Sequence, residues 1–340
     1  MSISAKELAS RLHVSPATIS MVMNRKPGIS DETRARVLSA AKKYGYDLAK
    51  YSSSLTETKN ICFIIYKKNG KVVSDTPFFS DLTEGISNTC QTNSLSLHIL
   101  YVYGNQPVKS QIKELYEKEY HGILLLATEM CQEDFLPFLD LPCPLVALDC
   151  YYEDLNFDTV LINNVQGSYM ATSHLLMRGF QRIGYLKSSF QIANFSERAD
   201  GYFKALRHYN IKKDLDYVLE LSPSMEAAYL DMKILLSRNI PLAEAYFADN
   251  DLIAAGAMRA FAEAGIRIPA DVSVIGFDDI PMCSFLSPTL STMRVEKQNF
   301  GMVAVNQLLN RIQNPSQSLV KLALSTRLVI RESVTDAVSK

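Results

Sequence analysis

The chain has 340 residues, of which 47% are apolar and 21% charged, and a formal net charge of −1. That length exceeds the roughly 250–300 residues one core can serve, and the composition excludes a disordered chain. The near-neutral total argues against a nucleic-acid binder only as an average. Residues 1–59 hold ten Lys and Arg against five Asp and Glu, while the rest of the chain has six more acids than bases. A basic head on an acidic body is the asymmetry of a nucleic-acid module joined to something else.

The head reads as three short helices. Ser4-Ala5-Lys6-Glu7 has the form of a capping box, followed by a stripe of Leu8, Ala9 and Leu12. His13-Val14 is a turn. Ser15 caps a second helix with Pro16 at its first position, where a missing amide does no harm. Ile19, Val22 and Met23 are its inward stripe. Pro27-Gly28 breaks the chain, Ser30-Asp31-Glu32 opens a third helix, Val37, Leu38 and Ala41 are expected to face inward, and Gly45 stops it. Two helices across a tight turn, braced by a third, make a helix-turn-helix. Asp47–Lys59, polar and Ser-rich, reads as a linker.

From Asn60 the pattern alternates strand and helix. Strands are expected near Ile61, Leu97, Ile123 and Leu145, then near Ile183, Tyr217, Ala245 and Val272. Amphipathic stretches fall at Gln111–Glu119, Gln166–Arg178, Ser196–Tyr209, Met225–Ser237 and Asp251–Ala264. Such units make parallel sheets covered on both faces, and two sets of four imply two lobes. The tail reads as a helix over Lys297–Gln313 and strands over Leu319–Leu324 and Arg327–Arg331. The expected division is a head at 1–46, a hinge at 47–59 and a body at 60–340. Lobe 1 takes about 60–161 and 291–320, and lobe 2 about 162–290 and 321–340.

In a helix-turn-helix the second helix enters the major groove. Its outward positions here are Pro16, Ala17, Ser20 and Met21, suited to thymine methyls and one hydroxyl bond. Ser15, Thr18, Asn24, Arg25 and Ser30 are candidates for phosphate contacts, which position without reading sequence. In the body, ligands of doubly wound sheets bind beyond the carboxyl ends of the strands. Phe78, Phe79, Asp149, Arg198, Asn250 and Asp278 fall there. The planar polar groups suit paired hydroxyls of a sugar, and an aromatic suits its apolar face. Asp251 is expected to cap its helix and Asp279 to be structural.

Catalytic motifs are missing: there is no GxGxxG, GxxxxGK[ST], HExxH or GxSxG, and five scattered histidines lack metal-ligand spacing. No enzyme, cofactor or metal is expected. No apolar run reaches the ~18 residues of a membrane helix, and the charged N-terminus is unlike a secretory signal. Cys62, Cys90, Cys131, Cys143, Cys150 and Cys283 form no CxxC pair and read as buried reduced thiols. A cytoplasmic protein is expected.

The head "ISAKELASRLHVSPATISMVMNRKPGISDETRARVLSAAKKYGY" resembles the lactose-repressor (LacI/GalR) family of transcription regulators. The body segments "PFFSDLTEGI", "ERADGYFKAL", "ADNDLIAAGAMRAFAEAGIRIPADVSVIGFDD" and "PTLSTMRVEKQNFG" are similar to that family too. The resemblance spans essentially the whole chain. It implies an all-α helix-turn-helix head on a two-lobed α/β body like periplasmic binding proteins, with doubly wound parallel sheets. It also implies a homodimer, double-stranded operator DNA, and a sugar-like small-molecule effector at the strand-end residues. Leu55 falls on the family's leucine that wedges into the minor groove, where unstacking a step is repaid by kinked DNA. Two departures stand out. Met21 occupies a position that often carries Arg or His, and the hinge reads Leu48-Ala49…Ser52-Ser53-Ser54-Leu55 in place of Pro-Asn…Ala-Arg-x-Leu. The apolar surface near Phe78–Thr92 is a candidate contact for the second copy. The rival readings are a regulator whose corepressor is a phosphorylated carrier protein, and, in another class, a solute-binding protein.

Overall fold

The computed structural model describes residues 3–23, 29–44, 46, 59–68, 70, 72–73 and 76–337. The chain divides between Lys59 and Asn60 into two compact units. In the first, α1 (Ala5–Leu12), α2 (Pro16–Met23) and α3 (Asp31–Lys43) enclose a small core. The capping box forms as written: Glu7 N donates to Ser4 Oγ at 3.2 Å, and Ser4 N donates to Glu7 Oε2 at 2.7 Å. His13 ends α1 in the left-handed conformation, at φ 55°. Leu8, Ala9, Ile19, Val22, Val37, Ala40, Ala41 and Tyr46 are buried together. Leu38, expected inside, is 43% exposed. At about 100° per residue it lies a quarter-turn from Val37, and the smaller Ala40 takes the inward place. Gly45, the expected stop, and most of the linker lie outside the described residues.

Among the described residues, the second unit holds twelve strands in two six-stranded sheets. They are β1 (Asn60–Lys67), β2 (Ser96–Tyr103), β3 (Gly122–Leu126), β4 (Leu145–Leu148), β5 (Asp158–Ile162), β6 (Ile183–Ser188), β7 (Val218–Leu221), β8 (Ala245–Ala248), β9 (Ser273–Asp278), β10 (Ser291–Arg294), β11 (Lys321–Leu324) and β12 (Arg327–Val329). The first sheet has the order β11-β5-β4-β3-β1-β2, and the second β12-β10-β9-β8-β6-β7. All pairings are parallel except β10 with β12. Each sheet thus repeats one doubly wound order. The strand order reverses between β1 and β3 in one sheet and between β6 and β8 in the other, where ligand crevices form.

Two strand assignments differ from the sequence-based division. β10 joins the second sheet, though 291–320 was expected in lobe 1. β11 joins the first, though 321–340 was expected in lobe 2. The chain therefore passes between lobes three times: after β5, after β10 and after β11. Strand spacing along the sequence counts units but does not say which sheet an edge strand completes. The expected helix over Gln111–Glu119 is two short ones, Val108–Gln111 and Glu114–Glu117. The helix Phe78–Thr92 turns its apolar face inward, against the helix Lys297–Gln313, so that stripe is no free contact surface. The exposed apolar residues nearby are Ile99, Tyr101 and Tyr103 on β2.

The described cysteines are free thiols, four of them buried. Among the described residues no helix is long and apolar enough to cross a membrane, and no side-chain cluster could hold a metal ion.

Candidate effector cleft and DNA-reading helix

On α2, Pro16, Ala17 and Ser20 are exposed, and Thr18 and Met21 half-buried. Ser15 serves as the cap: Thr18 N donates to its Oγ at 3.0 Å, and the two hydroxyls lie 2.9 Å apart. Ser30 does the same for α3, accepting from Thr33 N at 3.3 Å. Both hydroxyls thus have structural work besides any phosphate contact. Asn24, Arg25 and Leu55 lie outside the described residues.

All six expected effector residues of the body line one cavity of about 30 Å³ between the lobes. Phe78 and Phe79 begin the helix after β1, and Asp149 follows β4. In lobe 2, Arg198 rides the helix after β6, Asn250 follows β8, and Asp278 ends β9. Both reversal points of strand order therefore open on the same space. The cavity has room for only a few waters, at about 10–15 Å³ each, so an effector enters with the lobes parted.

Arg198 is the organiser. It is 3% exposed; Nε donates to Asn164 Oδ1 at 2.9 Å, Nη1 to the Asp249 carbonyl, and Nη2 to Asp278 Oδ1 at 3.3 Å. Its guanidinium lies 3.8 Å from the Phe277 ring centre. Asp278 (φ 109°) and Asp149 (φ 65°) both adopt left-handed backbone, strain that persists where the surroundings over-determine it. Asp149 Oδ2 accepts from Thr128 Oγ1 at 2.7 Å, while Oδ1 is buried without a partner. Burial pushes the Asp149 carboxyl up to about 6, against the pull of Thr128, Asn194 and Arg198. Burial likewise raises Asp278, which Arg198 and then Lys297 draw back. Behind the wall, Asp249 accepts from Ser188 N at 2.6 Å and from the Tyr185 hydroxyl; burial lifts it to about 7.

Asn250 proves to be the helix cap expected of Asp251: its Oδ1 accepts from Ile253 N at 2.8 Å. Asp251 instead ties the loop after β9, accepting from Ile280 N at 3.0 Å and Thr292 Oγ1 at 2.5 Å. Asp279 pairs with Arg294 and Arg331, a structural role. Sequence reasoning passed over Thr76, Thr128, Asn194 and Phe195, which also line the cavity. Their signal was position after a strand; the side chains of Thr76, Thr128 and Phe195 gave little chemical cue, whereas the planar amide of Asn194 offered the same cue as Asn250.

Comparison with known proteins places these features. Residues 4–47 match the description "Bacterial regulatory proteins, lacI family", and residues 172–334 match "Periplasmic binding protein-like domain". The ribose operon repressor of Haemophilus influenzae is 32% identical over 332 residues, covering 97% of this chain and 98% of its own. The transcriptional repressor PurR of Pasteurella multocida is 30% identical, with coverage of 97% and 98%. Among solved structures, a LacI family regulator from Enterococcus faecium with bound ribose aligns with TM-score 0.69 and 26% identity, over 81% of this chain and 99% of that one. The lac repressor dimer bound to operator aligns with TM-score 0.72 and 21% identity, over 98% and 99%, a likeness of fold.

Proposed function

The chain belongs to the lacI family of bacterial regulatory proteins, and from that premise we propose a cytoplasmic, homodimeric transcriptional repressor whose grip on operator DNA is set by a neutral pentose such as ribose. The observation that carries this is the interlobe cavity, where Asp149, Arg198 and Asp278 converge beside Phe78 and Phe79. Two carboxylates and one guanidinium leave no positive surplus, so a sugar phosphate is disfavoured and a polyol favoured. Carboxylates accept from vicinal hydroxyls, the guanidinium donates to ring and hydroxyl oxygens, and the phenyl rings cover the apolar face. The ribose repressor and the ribose-bound regulator to which the chain is similar support that choice. The reading assigns no catalysis, and needs no phosphorylated carrier protein or transport role.

DNA recognition is assigned to α2, with Pro16, Ala17, Ser20 and Met21 toward base edges and Ser15, Thr18, Asn24, Arg25 and Ser30 toward phosphates. Leu55 is assigned to the minor groove. Two heads of a dimer read half-sites about one helical turn apart. Sugar and DNA binding are then thermodynamically coupled through the angle between lobes.

The test is calorimetric titration of the full chain with D-ribose and with D-ribose 5-phosphate, beside footprinting on DNA upstream of its own operon. Ribose should bind and shift DNA affinity, and the phosphate ester should bind about tenfold or more weakly. Operator affinity should fall steeply with salt, with a slope of about −0.9 per phosphate contacted. Preference for the phosphate ester, or no protected DNA even at low salt, would refute the proposal.

A further inference from the structure

One cation beside the cavity, Lys297, does not line it. Lys297 begins the helix Lys297–Gln313, just after the second passage between lobes. Its backbone belongs to lobe 1. That helix packs so closely on Phe78–Thr92 that a Cβ on Gly85 would strike the Gln298 carbonyl, and one on Gly301 the Leu82 carbonyl. Gln298 Nε2 also donates to Glu84 at 3.0 Å. Its ammonium is held by lobe 2. Nζ donates to the carbonyls of Asp278 at 2.6 Å and Asp279 at 3.0 Å, with that of Val295 at 3.5 Å. It lies 5.8 Å from the Phe78 ring centre. Three donors meet three carbonyls, which fills the bonding capacity of an ammonium, and the residue is buried.

The two residues it grips, Asp278 (φ 109°) and Asp279 (φ 52°), are consecutive in the left-handed region. Such a turn lasts only where its neighbours hold it. Rotation of the lobes about the crossovers would carry these carbonyls away from a side chain rooted in the opposite lobe. We propose that Lys297 is the positioning residue of the cleft: rooted in lobe 1, it pins the 278–279 turn of lobe 2, aims the Asp278 carboxylate into the cavity, and ties effector occupancy to the closed lobe angle. A sugar bonded to Asp278 and the pin then favour the same state, so each strengthens the other. This rests on the cavity being the effector site.

Four charged groups face Asp278: Arg198 from the helix after β6, Asp149 from the end of β4, Asp251 from the helix after β8, and Lys297. Without Lys297, two carboxylates and one guanidinium remain around it, and Asp278 takes up a proton at higher pH.

The test is calorimetry of the full chain with D-ribose between about pH 5.5 and 8.5, on wild type, Lys297→Met and Lys297→Arg, with amide hydrogen exchange in the absence of sugar. Lys297→Met should lose about tenfold or more in ribose affinity. The acidic limb of its affinity profile should move to higher pH, and amides of 278–284 should exchange faster. Lys297→Arg, which keeps the charge, should recover most of the loss. Wild-type affinity and an unmoved limb in Lys297→Met would overturn the proposal. Should that variant not fold, Lys297→Gln replaces it, and an unmoved limb there overturns the proposal equally. Should wild type bind no ribose, the effector reading falls by itself; equal exchange at 278–284 in wild type and variant would then overturn the pin.

Discussion

Replacing Asp149 by Asn should stabilise the free protein while weakening its hold on sugar. Asp149 is 2% exposed, and one of its oxygens has no partner. Its carboxyl titrates at about 6 in the folded chain, against about 3.9 when unfolded. The raised value means that the folded state binds the proton more tightly than the unfolded one. Stability is therefore lost as pH rises from about 4 to about 6, and the penalty is full above that window. Two units correspond to about 3 kcal/mol at pH 8. An amide in the same place keeps the Thr128 bond but leaves its own polar atoms short of partners, at about 1–2 kcal/mol. The net gain is then about 1–2 kcal/mol, or about 2–8 °C in Tm for a unit of this size. Thermal melts of the full chain at pH 8 and pH 5 measure it: the variant should melt higher at pH 8, and the gap should narrow at pH 5. A variant that melts at or below wild type at pH 8, or a gap that is constant with pH, refutes the burial argument. The same variant should bind ribose at least about tenfold more weakly, since it gives up an acceptor for hydroxyls.

Wild-type ribose affinity itself should fall as pH drops through about 6, where Asp149 takes up its proton; calorimetry showing stronger binding at pH 5 than at pH 7.5 would contradict this. Arg198→Ala should abolish the sugar response yet leave operator binding, and should lower the Tm of the body, since it removes the side-chain partner of the Asp278 carboxylate and of Asn164 Oδ1; a retained response in footprinting would misplace the cleft. Arg311 forms a buried two-bond pair with Asp158, at 2.6 and 3.1 Å. Arg311→Met should cost about 3–5 kcal/mol, read by denaturant melts. Ser4→Ala removes the cap of α1 and should cost the head about 1 kcal/mol, seen as weaker operator and non-specific binding alike near its melting temperature.

Local signals carried most of what the sequence disclosed. Ser4, Ser15 and Ser30 begin helices because a hydroxyl before a helical run has one main use, and the structure uses each that way. The strand-ending polar residues were legible for a similar reason: Asp149 and Asp278 close apolar strands in which burial of charge needs a purpose. What the sequence withheld depends on distant partners. Leu38 was misplaced because an apolar residue at the edge of a stripe can turn either way. β10 and β11 were assigned to the wrong lobes because their partners, β9 and β5, are set by where the chain crosses. Asn250, while lining the cavity, took the capping role expected of Asp251 because either can cap, and only the carbonyl and amide positions decide. Lys297 gave no cue at all, since its acceptors are backbone carbonyls, two from the distant 278–279 turn and one from Val295 just before it.

The three passages between lobes also set an order of events during synthesis. Each sheet takes its last strand from beyond the helix Lys297–Gln313: β11 and β12 span Lys321–Leu324 and Arg327–Val329. Neither lobe is complete until the residues through Val329 have left the ribosome. The three-helix unit closes on itself within the first 46 residues. At about 5–20 residues per second, the interval between the two is on the order of tens of seconds. A nascent chain therefore displays its basic head while no sugar can yet govern it. A transcript that broke off before codon 321 would leave a head with no complete body, answerable to no effector. Both lobes are thus closed by strands from residues 321–329, and control by the sugar waits on them.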